Sequence, residues 1–213
     1  MKMKKVCRQL YISYLQYDLK GKFEHLKIGK IKDDTVTMLS VFGYRNFLFA
    51  YAEGLENQPD PEVLLAEWQD SLLDIPTEKC FRKWLPMTDI FHYNKPRDAA
   101  QWSRGIQKTP RGSVVKLVPE KISSYIYYHY QYQEERPGEY DKYGLIGLHN
   151  DIIFLYDEDP VQTEAAWYNG ELDTLSPHDN WGERMDPHFA VFENAEQPSK
   201  QQTPALIDFY QKQ

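Results

Sequence analysis

Apolar and polar residues alternate along several stretches of this chain, and the alternation predicts strands before anything else. Val6 to Leu15 reads as a first strand. Thr35 to Phe42 and Phe47-Leu48-Phe49-Ala50-Tyr51-Ala52-Glu53 follow, separated by the polar pair Arg45-Asn46, and predict a hairpin. The arrangement returns at an offset of 105 residues. Tyr143 to Leu148 leads through Asn150-Asp151 into Ile152-Ile153-Phe154-Leu155-Tyr156-Asp157-Glu158. Val114 to Val118 opens this second set as Val6 to Leu15 opens the first. Two hairpins in matching order predict a tandem duplication.

Elsewhere the period lengthens to that of a helix. Pro61 to Leu73 sets Val63, Leu64, Trp68 and Leu72 near helical spacing, and Thr77 is placed to cap a short second helix with Cys80, Phe81 and Trp84. Thr163 to Tyr168 and Asn180 to Met185 read as shorter counterparts in the second half. Pro119 opens a helix through about Glu135, which Pro137-Gly138 ends. The first copy has only weakly periodic sequence at that place, from Gln16 to Asp34, so its first helix is short or missing. Asn94 to Gly112, with two prolines and two glycines, reads as a linker. The order β-α-β-β-α-β, twice, predicts an α+β fold of two ferredoxin-like halves, 1–105 and 106–213.

Composition narrows the function classes. A chain of 213 residues with 41% hydrophobic and 27% charged residues is globular rather than disordered. Its net charge of −7 argues against a general nucleic-acid binder. A mean hydropathy of −0.68, and no apolar run near the roughly 18 residues of a membrane span, excludes an ordinary transmembrane helix. Cys7 and Cys80 supply neither a disulfide framework nor a cysteine zinc site. Arg8 and Gln9 interrupt any signal-peptide core after the basic start, and a cytoplasmic location is expected. Aromatic residues reach 15%, which suits either a flat-ring or carbohydrate site or simply an aromatic core.

One constellation has chemical content. Ile122, Tyr125, Ile126 and His129 share a face of the helix from Pro119. With the isoleucines on the sheet, Tyr125 and His129 stand where a cavity can form, and a histidine exchanges protons near neutral pH. The plain alternative is a packed tyrosine and a satisfied core histidine. His92 and His149 read as surface residues, whereas His178 and His188 flank Trp181 and are candidates for the same pocket. Asp157-Glu158-Asp159 reads as a solvated strand end, and no metal or phosphate-loop spacing occurs.

Several strings together resemble the L-rhamnose mutarotase family. Arg45-Asn46-Phe47-Leu48-Phe49-Ala50, then Cys80-Phe81-Arg82-Lys83-Trp84-Leu85-Pro86-Met87-Thr88-Asp89, is similar to the family's Arg-Asn strand and its Cys-x-Arg-Trp-Trp-x-x-Met-Thr-Asp segment. Val114 to Glu120 followed by Tyr125 and His129 is similar to its first strand, proline and Tyr-x-x-x-His helix, and Pro198 to Tyr210 to its closing strand. The resemblance implies a pseudo-dimeric α+β barrel closed within one chain, so that a monomer suffices. It implies interconversion of the α and β anomers of L-rhamnose or a similar deoxysugar by general acid–base ring opening, without metal or cofactor. Tyr125 and His129 take the catalytic positions. Trp84 and Trp181 take the tryptophan positions that pack against a sugar face.

Departures keep other readings open. The first copy has only Phe23 and His25 near the Tyr/His position, and Lys83 replaces one tryptophan. A non-catalytic sugar-binding or structural relative, or a haem-degrading monooxygenase on a similar barrel, fits the same strings. The expected partner is a small-molecule sugar, with neither nucleic acid nor membrane involved.

Overall fold

The structure is a computed structural model that describes residues 4–20, 22–135, 138–167, 170–174, 180–192 and 200–212. In chain order its elements begin with β1 (Val6–Tyr14), β2 (Val36–Tyr44), β3 (Phe47–Leu55), α1 (Pro61–Leu64), β4 (Ile75–Pro76), β5 (Phe81–Arg82), β6 (Leu85–Pro86), β7 (Thr88–Phe91) and β8 (Thr109–Leu117). There follow α2 (Ile122–Glu135), β9 (Glu139–Asp141), β10 (Leu145–His149), β11 (Ile152–Asp159), β12 (Thr163–Ala165), α3 (Trp181–Met185), β13 (Phe189–Ala190), β14 (Gln201–Gln202) and β15 (Ala205–Gln211). The chain divides into two units. One comprises 1–87, 96–110 and 204–213, the other 88–95 and 111–203.

The first unit holds a five-stranded sheet of order β15-β2-β3-β1-β6. The β2–β3 turn has Arg45 in the left-handed region at φ 57°, and the β10–β11 turn of the second unit has Asn150 there at φ 52°. The two positions stand at the 105-residue offset of the expected repeat. The same offset relates a buried pair in each: Tyr51 donates to Glu53 Oε2 at 2.8 Å, and Tyr156 donates to Glu158 Oε1 at 2.8 Å. Glu158 is therefore a buried strand residue and not part of a solvated end, while Asp157 and Asp159 both pair with Arg111.

Glu53 anchors the first unit. It accepts from Thr37 on β2, from the Trp102 indole at 2.7 Å, and from both terminal nitrogens of Arg104 at 2.9 and 3.0 Å. Burial alone would raise its pKa, but Arg104 and the hydrogen bonds outweigh that and hold the carboxyl below its ordinary range. The stretch expected as a linker is thus tied into the core by Trp102 and Arg104.

Two ferredoxin-like halves in an α+β barrel are not what forms. Among the described residues strand takes 41% and helix 18%, a mostly antiparallel β architecture without the paired helices that layer requires. Among the described residues between β1 and β2 there is no helix. Phe23 and Leu26 are buried against the sheet instead, and Gly43 on β2 makes room, since a Cβ there would lie 2.5 Å from the Phe23 ring. The helix expected over 61–73 stops at Leu64, because Leu65 leaves helical geometry (φ −120°, ψ 34°); a 3-10 turn over Ala66–Ser71 follows. Trp68 and Leu72 still point inward, whereas Val63 is exposed. The short helix at Thr77 is replaced by the β4–β5 hairpin. Thr77 accepts from Cys80 N at 3.2 Å and donates to Cys80 O at 2.6 Å, closing a turn rather than capping a helix, and Phe81 is exposed. Residues 163–165 are also strand, paired with β9.

Asp60 makes the one-turn α1 possible. Its carboxylate accepts from Glu62 N at 3.0 Å and pairs with Arg82. Asp60→Ala is expected to lower stability by about 1 kcal/mol, the usual cost of losing such a cap, read as a lower urea midpoint. A midpoint equal to wild type would show that Glu62 and Arg82 hold the turn alone.

The second unit holds a sheet of order β13-β8-β11-β10-β7, with β14 also on β8. β2 and β10 are the first strands of the two hairpins. Each is bordered by a strand from the opposite half of the sequence: β15 pairs with β2, and β7 with β10. No described helix is long and apolar enough to cross a membrane.

Candidate functional site

The longest helix among the described residues, α2, runs 14 residues behind a 3-10 turn that starts at Pro119, as the sequence predicts for its start; Pro137 lies outside the described residues. Tyr125 and His129 are the buried aromatic residues of this helix; Tyr125 belongs to a cluster with Ile90, Phe91, Leu117, Ile146, Leu148 and Ile153 of the sheet, and His129 meets Phe91. Helical spacing determines which side chains share that face, and β7 brings in the aromatics that sequence reasoning missed.

The rings form a box. Tyr125 and His129 lie 4.1 Å apart between centroids, and Trp181 meets His129 edge-on at 5.0 Å. Phe91 meets His129 edge-on from another side at 5.5 Å. Tyr132 packs on Trp181 at 4.8 Å, and Tyr93 stacks on Tyr140 at 3.9 Å. Trp181 is half-buried at the start of α3, where the sequence also expects a helix.

The protonation states in the box are fixed by burial. His129 Nδ1 donates to the Tyr125 carbonyl oxygen at 3.0 Å, so Nε2 keeps its lone pair. Loss of solvent drives the imidazole pKa down to about 4, against a small opposite effect of that hydrogen bond. The same desolvation pushes the Tyr125 phenol well above its ordinary value. At neutral pH the box thus holds a neutral imidazole and a protonated phenol. A buried neutral histidine also links stability to pH. The unfolded chain takes up the proton near pH 6.5 and the folded chain only near 4, so stability falls as pH drops through that window. His188 and His149 are shifted in the same direction by burial.

Beside the box is an open cleft of about 570 Å³. Lys121, Ser124 and Tyr128 of the α2 region line one side, and Asn180, Glu183, Arg184 and His188 the other. Ser124 Oγ and His188 Nε2 are 2.9 Å apart, and His188 Nδ1 lies 3.3 Å from the Met185 carbonyl oxygen. Arg184 donates to the Tyr128 hydroxyl at 3.0 Å and stacks over its ring. Tyr125 meets His188 edge-on at 5.9 Å, so the box adjoins the cleft through this contact.

Of the sequence candidates, Tyr125, His129 and Trp181 come together. Trp84 does not join them. It is fully buried in the core of the first unit, beside Lys83, which binds the Leu72 carbonyl and Asp74. Phe23 is core and His25 is exposed. His188 lines the cleft, and His178 lies outside the described residues. His92 is buried and paired with Asp89 at 2.9 Å, and His149 is half-buried, so neither is a plain surface residue. Among the described residues no cluster of three or more His, Cys, Asp or Glu is placed to hold a metal ion. The spacing of Lys121, Ser124 and Tyr128 with Tyr125 was readable as adjacent helical stripes. Their meeting with His188 and Arg184 was not, since those lie some sixty residues on. Compared with known proteins, the chain matches no family model, no curated protein and no solved structure.

Proposed function

We propose that the second unit carries a site for anomer exchange of a small sugar, L-rhamnose or a similar deoxysugar, by general acid–base ring opening. The observation that carries this reading is the packing of a neutral histidine, a protonated tyrosine and a tryptophan in one box. The sequence resemblance supplies the roles. His129 Nε2 takes the proton of the anomeric hydroxyl as the ring C–O bond breaks, while the Tyr125 hydroxyl gives its proton to the ring oxygen. After rotation about the adjacent C–C bond, the ring oxygen attacks the other carbonyl face and both protons return. Neither group need ionise beforehand at neutral pH, because burial sets the two in complementary states. The half-buried Trp181 indole offers a face to the apolar side of the sugar ring.

The pH profile tests the assignment. Exchange measured by NMR between anomeric signals should be flat from about pH 5 to 8 and fall by half near pH 4, where His129 Nε2 takes up its proton. A midpoint near 6.5, the ordinary histidine value, would move the proton carrier to a solvent-facing residue and defeat the role given to His129.

A further inference from the structure

The cleft beside the box has a chemistry that a neutral deoxysugar leaves unused. Lys121 and Arg184 bring two positive charges to it and Glu183 one negative charge, so the lining is net positive in a chain of net charge −7. Asn180 adds an uncharged hydrogen-bonding side chain, and the Ser124 hydroxyl is engaged with His188 and the Lys121 carbonyl. His188 is buried and fixed at both ring nitrogens, by Ser124 and by the Met185 carbonyl. The Arg184 guanidinium is stacked on Tyr128 and hydrogen-bonded to its hydroxyl, so it is held in place before a ligand arrives. Positioned cationic donors are what carboxylates and phosphates bind, and a guanidinium meets either with a planar pair of donors.

We propose that this cleft is an oxyanion subsite of the box, so that the favoured substrate is a sugar carrying a carboxylate or a phosphate. The anionic group lies in the cleft, with the sugar ring on the side of it that the box adjoins where Tyr125 meets His188. This rests on the anomer-exchange reading for the word substrate but not for the binding of the anion. The subsite also gives Ser124, Lys121 and Arg184 a role in specificity, separate from the proton transfer at His129.

The test has two arms that fail separately. In the first, inorganic phosphate and acetate are titrated into the full-length protein while the His188 imidazole signals are followed by NMR. Saturable shifts are expected, with a Kd of about 1 mM or tighter for at least one of the two anions. The shifts should vanish in the double variant Lys121→Gln/Arg184→Gln and weaken in Ser124→Ala, which keeps the fold if the double variant does not. Absence of saturation up to about 20 mM of either anion overturns the subsite. In the second arm, anomer exchange is compared between D-fucose and D-galacturonate, which share a ring and differ in a methyl or a carboxylate at C6, and with D-galactose 6-phosphate. At least about a tenfold higher kcat/KM is expected for an acidic sugar, with the better of the two identifying the source of the anion, and the preference should be lost in the double variant. If phosphate or acetate saturates but no sugar is exchanged, anomer exchange fails and the subsite stands. If sugars are exchanged without acidic preference and neither anion saturates, the subsite fails and anomer exchange stands.

Discussion

Replacing His129 by alanine is expected to slow anomer exchange by about 100-fold or more, the scale on which general acid–base groups act. The magnitude follows from the lack of a substitute within the box. Phe91, Trp181 and Tyr132 around it carry no group that accepts a proton from a hydroxyl, and His188 is already bonded to Ser124 and Met185. Tyr125→Phe keeps the ring and removes the proton donor, so it should lose a large part of the rate, again on the order of 100-fold, with little change in packing. A core histidine with no chemical role predicts something else. His129→Ala would then lower the unfolding midpoint by leaving a hole among Phe91, Tyr125 and Trp181, while the folded fraction exchanged anomers at the wild-type rate. Thermal midpoint and exchange rate measured on one preparation separate the two. The outcome that sinks the catalytic role is an unchanged specific rate in folded His129→Ala.

Arg104→Met should cost about 3–5 kcal/mol of stability, because it leaves the Glu53 carboxylate buried without its counter-ion. Both residues are almost wholly inaccessible, at 5% and 3% of their side-chain surface, so solvent cannot take over the charge. Thr37, Tyr51 and Trp102 still donate to the carboxylate but supply no positive charge. In wild type, Glu53 contributes stability above its unfolded pKa that is lost as pH falls through its depressed folded value. In the variant the sign reverses. The unpaired carboxyl has a raised pKa and is relieved by protonation, so the deficit against wild type narrows on acidification. Glu53→Gln combined with Arg104→Met should recover part of the loss, since no buried charge remains. Urea unfolding of the three variants measures this. A loss below about 1 kcal/mol in Arg104→Met would place the pair among exposed ion pairs and contradict its burial.

Resemblance and periodicity supported two different parts of the molecule. The strands were legible because alternation reflects a sheet directly. β1, β2, β3, β10 and β11 lie where apolar and polar residues alternate, and the two hairpins are alike in the left-handed turn residues Arg45 and Asn150 and in the pairs Tyr51–Glu53 and Tyr156–Glu158. The shared face of Tyr125 and His129 was legible for the same reason, a helix having a fixed period. Short helical patterns misled. Apolar residues at 64, 68 and 72 satisfy a 3-10 turn against a sheet as well as an α-helix, and Pro76 and Pro86 flank a segment that pairs as short strands instead.

The amino-acid sequence by itself determined the two hairpins and the face of α2 that carries the tyrosine and histidine, because each depends on neighbours a few residues away. Only the tertiary structure decided the rest. It set Phe23 in place of a first helix, sent β15 to border β2 and β7 to border β10, and buried Trp84 in the first unit's core while bringing Trp181 to His129. It also decided the proton chemistry, since a histidine that is ordinary in sequence has a pKa of about 4 only when Phe91, Tyr125 and Trp181 have displaced its water. Those choices depend on contacts between residues dozens of positions apart, and on desolvation, which no local pattern encodes.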